Sequence, residues 1–310
     1  MRPVEDYDVD GSTAAASLVN YMRRAGGFTA RHLAEAVEVL EAMFKDDECT
    51  VFLAFPACLV ATGLRGVLAG LVKRGLVDVI VTTGGTLDHD VARAHGARYL
   101  EGSFYADDSE LAEKGIHRLG NVFIPRDDYG PLLERVVWRV LDELHASGVT
   151  KLTSRRLAEE LGKRLSDENS ILKQAASKGV PIYSPGILDS AVGTQLVLYS
   201  QVRRLELDLI QDERELLDLA FAAKKLGALI LGGGISKHHV LWFSQFKGGL
   251  DYAVYVTTAQ EYDGSLSGAR VREAVSWSKV KPEAKQITVD GDATVILPLM
   301  LAGAYARLGL

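Results

Sequence analysis

The segment Val77–Gly85, VDVIVTTGG, decides the fold. Its first seven residues are β-branched or nearly uncharged, and the run breaks at Gly84-Gly85. A short apolar run closed by glycines reads as a strand buried on both faces. The same pattern recurs on either side of it. Thr50–Phe55 (TVFLAF) precedes a helical stretch at Leu59–Arg74, and further strands are expected at Val180–Tyr183, Ala228–Leu231, Tyr252–Thr257 and Gln286–Val289. Helical periodicity fills the intervals at Tyr129–Ala146, Ser154–Leu161, Asp212–Leu226 and Ala293–Leu308. Apolar strands alternating with helices predict an α/β fold: a mostly parallel sheet covered by helices on both faces. Glu101–Asp128 is the least regular part, a long functional loop or an excursion over a partner subunit. No Pro/Ser/Gly linker divides the chain, so one large domain from residue 49 to 310 is expected behind an N-terminal extension, 1–48.

Composition narrows the function classes. The 310 residues carry 35 Lys+Arg against 41 Asp+Glu, a net charge of −6, which argues against a dedicated nucleic-acid binder. Two cysteines, Cys49 and Cys58, are too few to staple this length and suit a reducing, cytoplasmic setting. The acidic start, MRPVEDYDVD, is the reverse of a signal peptide, and the most apolar stretches are too short or interrupted to cross a bilayer. No membrane or nucleic-acid partner is expected.

Glycines and polar residues follow the expected strands repeatedly: Thr82–Gly85, Asp189, Gly232–Gly234, Thr258-Ala259 and Asp292. In an open parallel sheet, ligands bind outside the carboxyl ends of the strands. Glycines there admit a pyrophosphate to backbone N–H groups, although no GxGxxG is present. His238, just beyond the triple glycine, is a possible general base, because imidazole titrates near neutrality. The remaining histidines are too scattered for a metal site. In Thr257–Lys279, TTAQEYDGSLSGARVREAVSWSK, Glu273 and Trp277 are four apart and would share a helix face. A carboxylate beside an indole suits an alkylammonium substrate. Lys279, two residues later, reads by spacing alone as a surface lysine at a helix end.

The stretches GALILGGGISKHH (Gly227–His239) and DYAVYVTTAQEYDGSLSGARVREAVSWSK (Asp251–Lys279) closely resemble deoxyhypusine synthase. So do Val77–Gly85, GIHRLGNVFIPRDDY (Gly115–Tyr129), VPIYSPGILDSAVG (Val180–Gly193) and DGDATVILPLM (Asp290–Met300). The resemblance runs from about Thr50 to the C-terminus, and the acidic start is similar to archaeal-type members. It implies a Rossmann-like fold in which NAD oxidises spermidine, propane-1,3-diamine leaves, and the aminobutyl group forms an imine on an enzyme lysine. That group then passes to a lysine of translation initiation factor 5A. By the AVSWSK motif the imine-forming lysine is Lys279, not Lys237, and His238 is the proton acceptor. Glu273 and Trp277 hold the polyamine, together with Asp88, His89, Gly264 and Ser265. NAD falls to Thr83, Gly84, Gly85, Asp189, Gly233, Thr258, Ala259, Asp263, Ser267, Asp292 and Ala293. The resemblance also implies a homotetramer with sites shared across a dimer interface, and Met1–Ala16 as a segment that covers a neighbour's entrance.

The chain departs from eukaryotic members at several of these places. Thr194 and Leu266 stand where carboxylates occur, His89 replaces a glutamate, and Pro56–Gly63 (PACLVATG, with Ala57, Cys58 and Ala61) replaces a hydroxyl- and amide-rich stretch. Removing two anions from a polyamine pocket costs about 1–3 kcal/mol each when the pairs are desolvated. Two alternatives therefore stand beside the first reading. One keeps the imine chemistry with another amine, as in homospermidine synthase or with agmatine; the other is a non-catalytic NAD-binding oligomer.

Overall fold

The computed structural model describes residues 3–310, which form two compact units: 3–55 with Leu216–Leu310, and Pro56–Glu215. In the first unit, four parallel strands lie in the order Val280–Asp290, Leu250–Thr257, Lys225–Leu231, Cys49–Phe55. Leu53 sits opposite Leu229, and Tyr255 opposite both Ile230 and Thr288. The runs TVFLAF and ALIL are almost wholly buried, which is why they carry no alternation. The helix Phe28–Phe44 packs across this sheet through Leu33, Ala36, Val37, Leu40 and Met43, all buried. A glycine is required beneath it: a Cβ at Gly227 would lie 2.6 Å from Met43 Sδ and 2.8 Å from Cys49 Sγ. Helices Ala15–Ala25 and Ala293–Leu308 pack against Phe28–Phe44, and Ile235–Ser244 packs on the strands Lys225–Leu231 and Cys49–Phe55.

In the second unit Val79–Thr82 runs parallel to Ile182–Tyr183, with Ile80 opposite Ile182 and Val81 opposite Tyr183. Around them lie helices Leu64–Lys73, Gly84–Ala94, Gly130–Ala146, Ser154–Lys163, Ile171–Lys178 and Ala191–Val202. Parallel strands among helices are the expected α/β architecture. Three details differ from expectation. Glu101–Asp128 holds most of a three-stranded antiparallel sheet and the helix Asp108–Glu113; its strands are only two to four residues long and bury a single residue, Ile124, so no apolar run marks them. The stretch expected as one helix at Leu59–Arg74 is a 3-10 turn, Ala57–Ala61, followed by Leu64–Lys73; Thr62 and Gly63 separate them, and the Thr62 hydroxyl accepts from the Leu64 amide. The helix expected to reach Leu226 stops at Ala222, because Lys225 already pairs with Cys49 as a strand.

Candidate active site

The first unit contains a cleft of about 250 Å³ lined by Lys237, His238, Trp242, Leu266, Glu273, Trp277 and Lys279, with Leu241, Ala269, Arg270 and Ala274. Three pieces of chain build it. Gly232–Gly234 end the strand Lys225–Leu231, and the helix Ile235–Ser244 then carries Lys237, His238 and Trp242. The loop after Leu250–Thr257 returns through Leu266–Arg270, and the 3-10 segment Val271–Trp277 leads into Lys279 and the strand Val280–Asp290. Glu273 and Trp277 both line the cleft, but not for the reason the sequence suggests. A 3-10 helix has about three residues per turn, so positions four apart do not share a face as they do on an α-helix.

Two lysines enter this cleft and their environments differ. Lys237 is 2% exposed, and its Nζ donates to the carbonyls of Leu266 (2.6 Å) and Ala269 (2.5 Å). It also lies 3.8 Å from the Tyr255 ring centroid. Burial pushes its pKa down to about 8, against the opposing pull of Glu273. On pKa alone Lys237 would look like the nucleophile. Its donors are committed, however, and their task is to hold the Leu266–Ala269 wall. Lys279, 8% exposed, presents Nζ at 5.1 Å from the ring centroids of both Trp242 and Trp277. An amine held over indole faces is close enough to carbon substrates lying on those same faces to react with them.

His238 lies on the same helix, its ring 5.7 Å from that of Trp242. Burial first, and the Lys279 charge second, lower its pKa, so the imidazole is neutral near pH 7 and able to accept a proton. Glu273 is an exposed carboxylate on the rim, and Trp277 is 62% exposed beside it. Trp242 was missing from the sequence reading. The signal was present: it lies four residues after His238 on one helix and so faces the same way.

The other residues singled out by sequence divide between the units. Gly233, Thr258, Ala259, Asp263, Gly264, Ser265, Ser267, Asp292 and Ala293 belong to the first. Gly233 and Ser267 touch so closely that a Cβ on Gly233 would be 2.4 Å from Ser267 Cα. The Ser267 carbonyl accepts from the hydroxyls of Tyr255 (2.5 Å) and Thr257 (3.0 Å), and the Thr257 hydroxyl accepts from the Ala259 amide. Asp263 accepts from both the amide and the hydroxyl of Ser265, which lowers its pKa. Asp292 caps the helix Ala293–Leu308 through the Thr294 amide.

Thr83, Gly84, Gly85, Asp88, His89, Asp189, Cys58 and Thr194 belong to the second unit. Thr83 precedes the helix Gly84–Ala94 without a side-chain cap, and its hydroxyl accepts from the Ala57 amide. Asp189, Thr194 and Cys58 are exposed. Asp88 and His89, expected to contact substrate, both have partners within the protein. The Asp88 carboxylate accepts from the amides of Ala191 and Val192 and from the Tyr129 hydroxyl, thereby fixing the start of the helix Ala191–Val202. Burial raises its pKa against those three bonds.

His89 is 8% exposed, bonds through Nδ1 to the Tyr99 hydroxyl at 2.8 Å, and has its pKa lowered to about 4 by burial and then by Arg93. The folded protein thus favours neutral imidazole. The stability linked to His89 is complete above pH 6.5 and is lost as pH falls toward 4, by up to about 3 kcal/mol. His89→Gln, which cannot titrate, should narrow the drop in urea midpoint between pH 7 and 4.5. Parallel midpoint–pH curves for the two proteins would contradict this.

An α/β frame with a lysine amine held in an aromatic cleft, an imidazole beside it and a carboxylate on the rim belongs to a group-transferring enzyme that handles amines. Comparison with known proteins narrows the class. The family model described as deoxyhypusine synthase matches residues 17–304. A relative from Ignicoccus hospitalis, named "Probable deoxyhypusine synthase", is 54% identical over 310 residues, 98% of this chain and 96% of that one. One of the same name from Sulfurisphaera tokodaii is 50% identical over 299 residues, 96% of each. The fold matches a crystal structure described as "a putative deoxyhypusine synthase from Entamoeba histolytica", with a TM-score of 0.69 at 24% identity, covering 98% of this chain and 97% of that one. The chain belongs to the deoxyhypusine synthase family, and its activity is the formation of deoxyhypusine.

Proposed function

We propose that the cleft transfers the aminobutyl group of spermidine through an imine on Lys279 to a lysine of translation initiation factor 5A. The observation that carries this reading is the placement of the Lys279 amine between two indoles, beside His238, with Glu273 on the rim. NAD, when bound, would accept two electrons from the donor amine and return them to the final imine. In the first unit, the glycine turn Gly232–Gly234 and the uncapped start of the helix Ile235–Ser244 suit its phosphates, leaving first-turn N–H groups for an anion. Within the first unit, Gly233, Thr258, Ala259, Asp263, Ser267, Asp292 and Ala293 are the residues we assign to it.

The protein's own part in the chemistry follows from its groups. Glu273 pairs with a substrate ammonium, and Trp277 and Trp242 stack the methylenes. His238 Nε2 or Nδ1 takes the proton released from the secondary amine as that C–N bond is oxidised. Lys279 Nζ then adds to the electrophilic carbon, and the C–N bond to propane-1,3-diamine breaks, with the electron pair and a proton leaving on the diamine. The acceptor lysine displaces Lys279 by the same addition and elimination, restoring the free enzyme amine. We also propose a homotetramer and a cytoplasmic location. The latter fits a chain of this length with two cysteines. Met1 and Arg2, part of the segment expected to cover a neighbouring entrance, lie outside the described residues.

A second donor is favoured by Leu266, which lines the cleft where an acid would add negative charge and leaves Glu273 as the carboxylate on it. Incubation with NAD, factor 5A and labelled spermidine, with labelled agmatine and putrescine in parallel, separates the two readings. Spermidine label should appear on the factor. Label from agmatine alone would move the assignment to the second donor, and no transfer from any amine over a range of pH would sink both.

A further inference from the structure

We infer that Ser278 is a positioning residue whose left-handed backbone aims Lys279 into the cleft. Among the described residues only Phe28 (φ 38°) and Ser278 (φ 56°, ψ 22°) are non-glycines with positive φ. Phe28 begins a helix and is 96% exposed, far along the chain from any group of the cleft. Ser278 sits directly between the cleft residues Trp277 and Lys279. Left-handed geometry is unfavourable for an L-residue with a Cβ, so surrounding structure must hold it.

The hydrogen bonds show what holds it. The Ser278 amide donates to the Val275 carbonyl and the Lys279 amide to the Ala274 carbonyl, both at 3.0 Å. These are the paired bonds of a Schellman closure, with serine in the place that glycine usually fills. The Lys279 carbonyl is then tied from the other side, accepting from the Leu250 amide at 3.1 Å and the Ser244 hydroxyl at 2.7 Å. The chain therefore reverses within one residue. Trp277 stays 62% exposed on the rim, while Lys279 turns inward to 8% and meets both indoles. A right-handed residue at 278 would continue the 3-10 turn, and an extended one would straighten into the strand. Either would carry the amine off the two rings.

The inference rests on the reading of Lys279 as the imine-forming group, so the test uses two readouts. One is the yield of borohydride-stable adduct with spermidine and NAD. The other, independent of activity, is the rate of reductive methylation of Lys279 in the protein without substrate, read by peptide mass spectrometry. S278G, which adopts the conformation without steric cost, should match the wild type in both. S278V should lose about tenfold or more in adduct rate and expose Lys279 to faster methylation. If S278V fails to fold, S278N and S278A replace it, with adduct rates expected to be alike for glycine, asparagine and serine and lower for alanine. Equal adduct and methylation rates across the series, or alanine outpacing glycine, would overturn the inference. Absence of adduct in the wild type, with methylation still rising in S278V or S278A, would remove the imine reading and leave the positioning role standing.

Discussion

Lys279→Ala is expected to abolish deoxyhypusine formation while leaving the protein folded and able to bind amine within a few-fold of the wild type. In the proposed mechanism the side chain supplies the atom to which the transferred group is bonded, and no neighbour can replace it. Lys237 lines the same cleft, but its Nζ is engaged by two carbonyls and the Tyr255 ring. Loss of a covalent nucleophile costs on the order of 10³-fold or more in rate. Lys279→Arg sharpens the point. It keeps a cation against Trp242 and Trp277, yet a guanidinium cannot lose its proton to become a nucleophile. Both variants should show the same loss of label transfer to factor 5A. Recovery of more than about a tenth of the activity in the arginine variant would mean that charge, not nucleophilicity, is the contribution of this residue.

The largest stability effect is expected in the second unit. Asp90 is fully buried and accepts from Arg65 Nε at 2.5 Å, the Ser170 hydroxyl at 2.8 Å and the Leu172 amide at 2.7 Å. The same guanidinium reaches Asp167 at 2.6 Å. Three segments remote in sequence, on Leu64–Lys73, Gly84–Ala94 and Ile171–Lys178, are thus joined at one point. Arg65→Met leaves a carboxylate in the interior without its cation, and removal of one partner from such a pair costs about 3–5 kcal/mol. The double variant Arg65→Met/Asp90→Leu removes the stranded charge and should be more stable than Arg65→Met alone, although the hydroxyl and amide then lose an acceptor. Urea unfolding checks both. A single variant within about 1 kcal/mol of the wild type would show that the network contributes little.

Much of the frame was readable because its strands are buried on both faces. VDVIVTT and TVFLAF carry the signal of a parallel sheet in their lack of alternation, and the helix Ala293–Leu308 has the bounds its periodicity predicts. The strand Val280–Asp290 was only half visible. It lies at the edge of its four-strand run, Lys281, Glu283 and Lys285 keep it polar, and Pro282 is tolerated there. The site was less legible. Nothing in the spacing of Lys279 distinguishes it from a surface lysine; its burial comes from one left-handed residue and from hydrogen bonds to Ser244 and Leu250, far back in sequence. Only the order and identity of residues shared with a known family pointed to it. Asp88 shows the converse. It follows an expected strand by a few residues, as a ligand residue would, but three hydrogen bonds commit its carboxylate to the fold.

The most direct test maps the covalent intermediate to a residue. The wild-type enzyme is incubated with labelled spermidine and NAD, reduced with borohydride, digested and sequenced by mass spectrometry. The label should lie on Lys279. Label on Lys237, the buried lysine whose pKa is pushed down to about 8, would contradict the assignment, as would transfer to factor 5A without any labelled enzyme lysine.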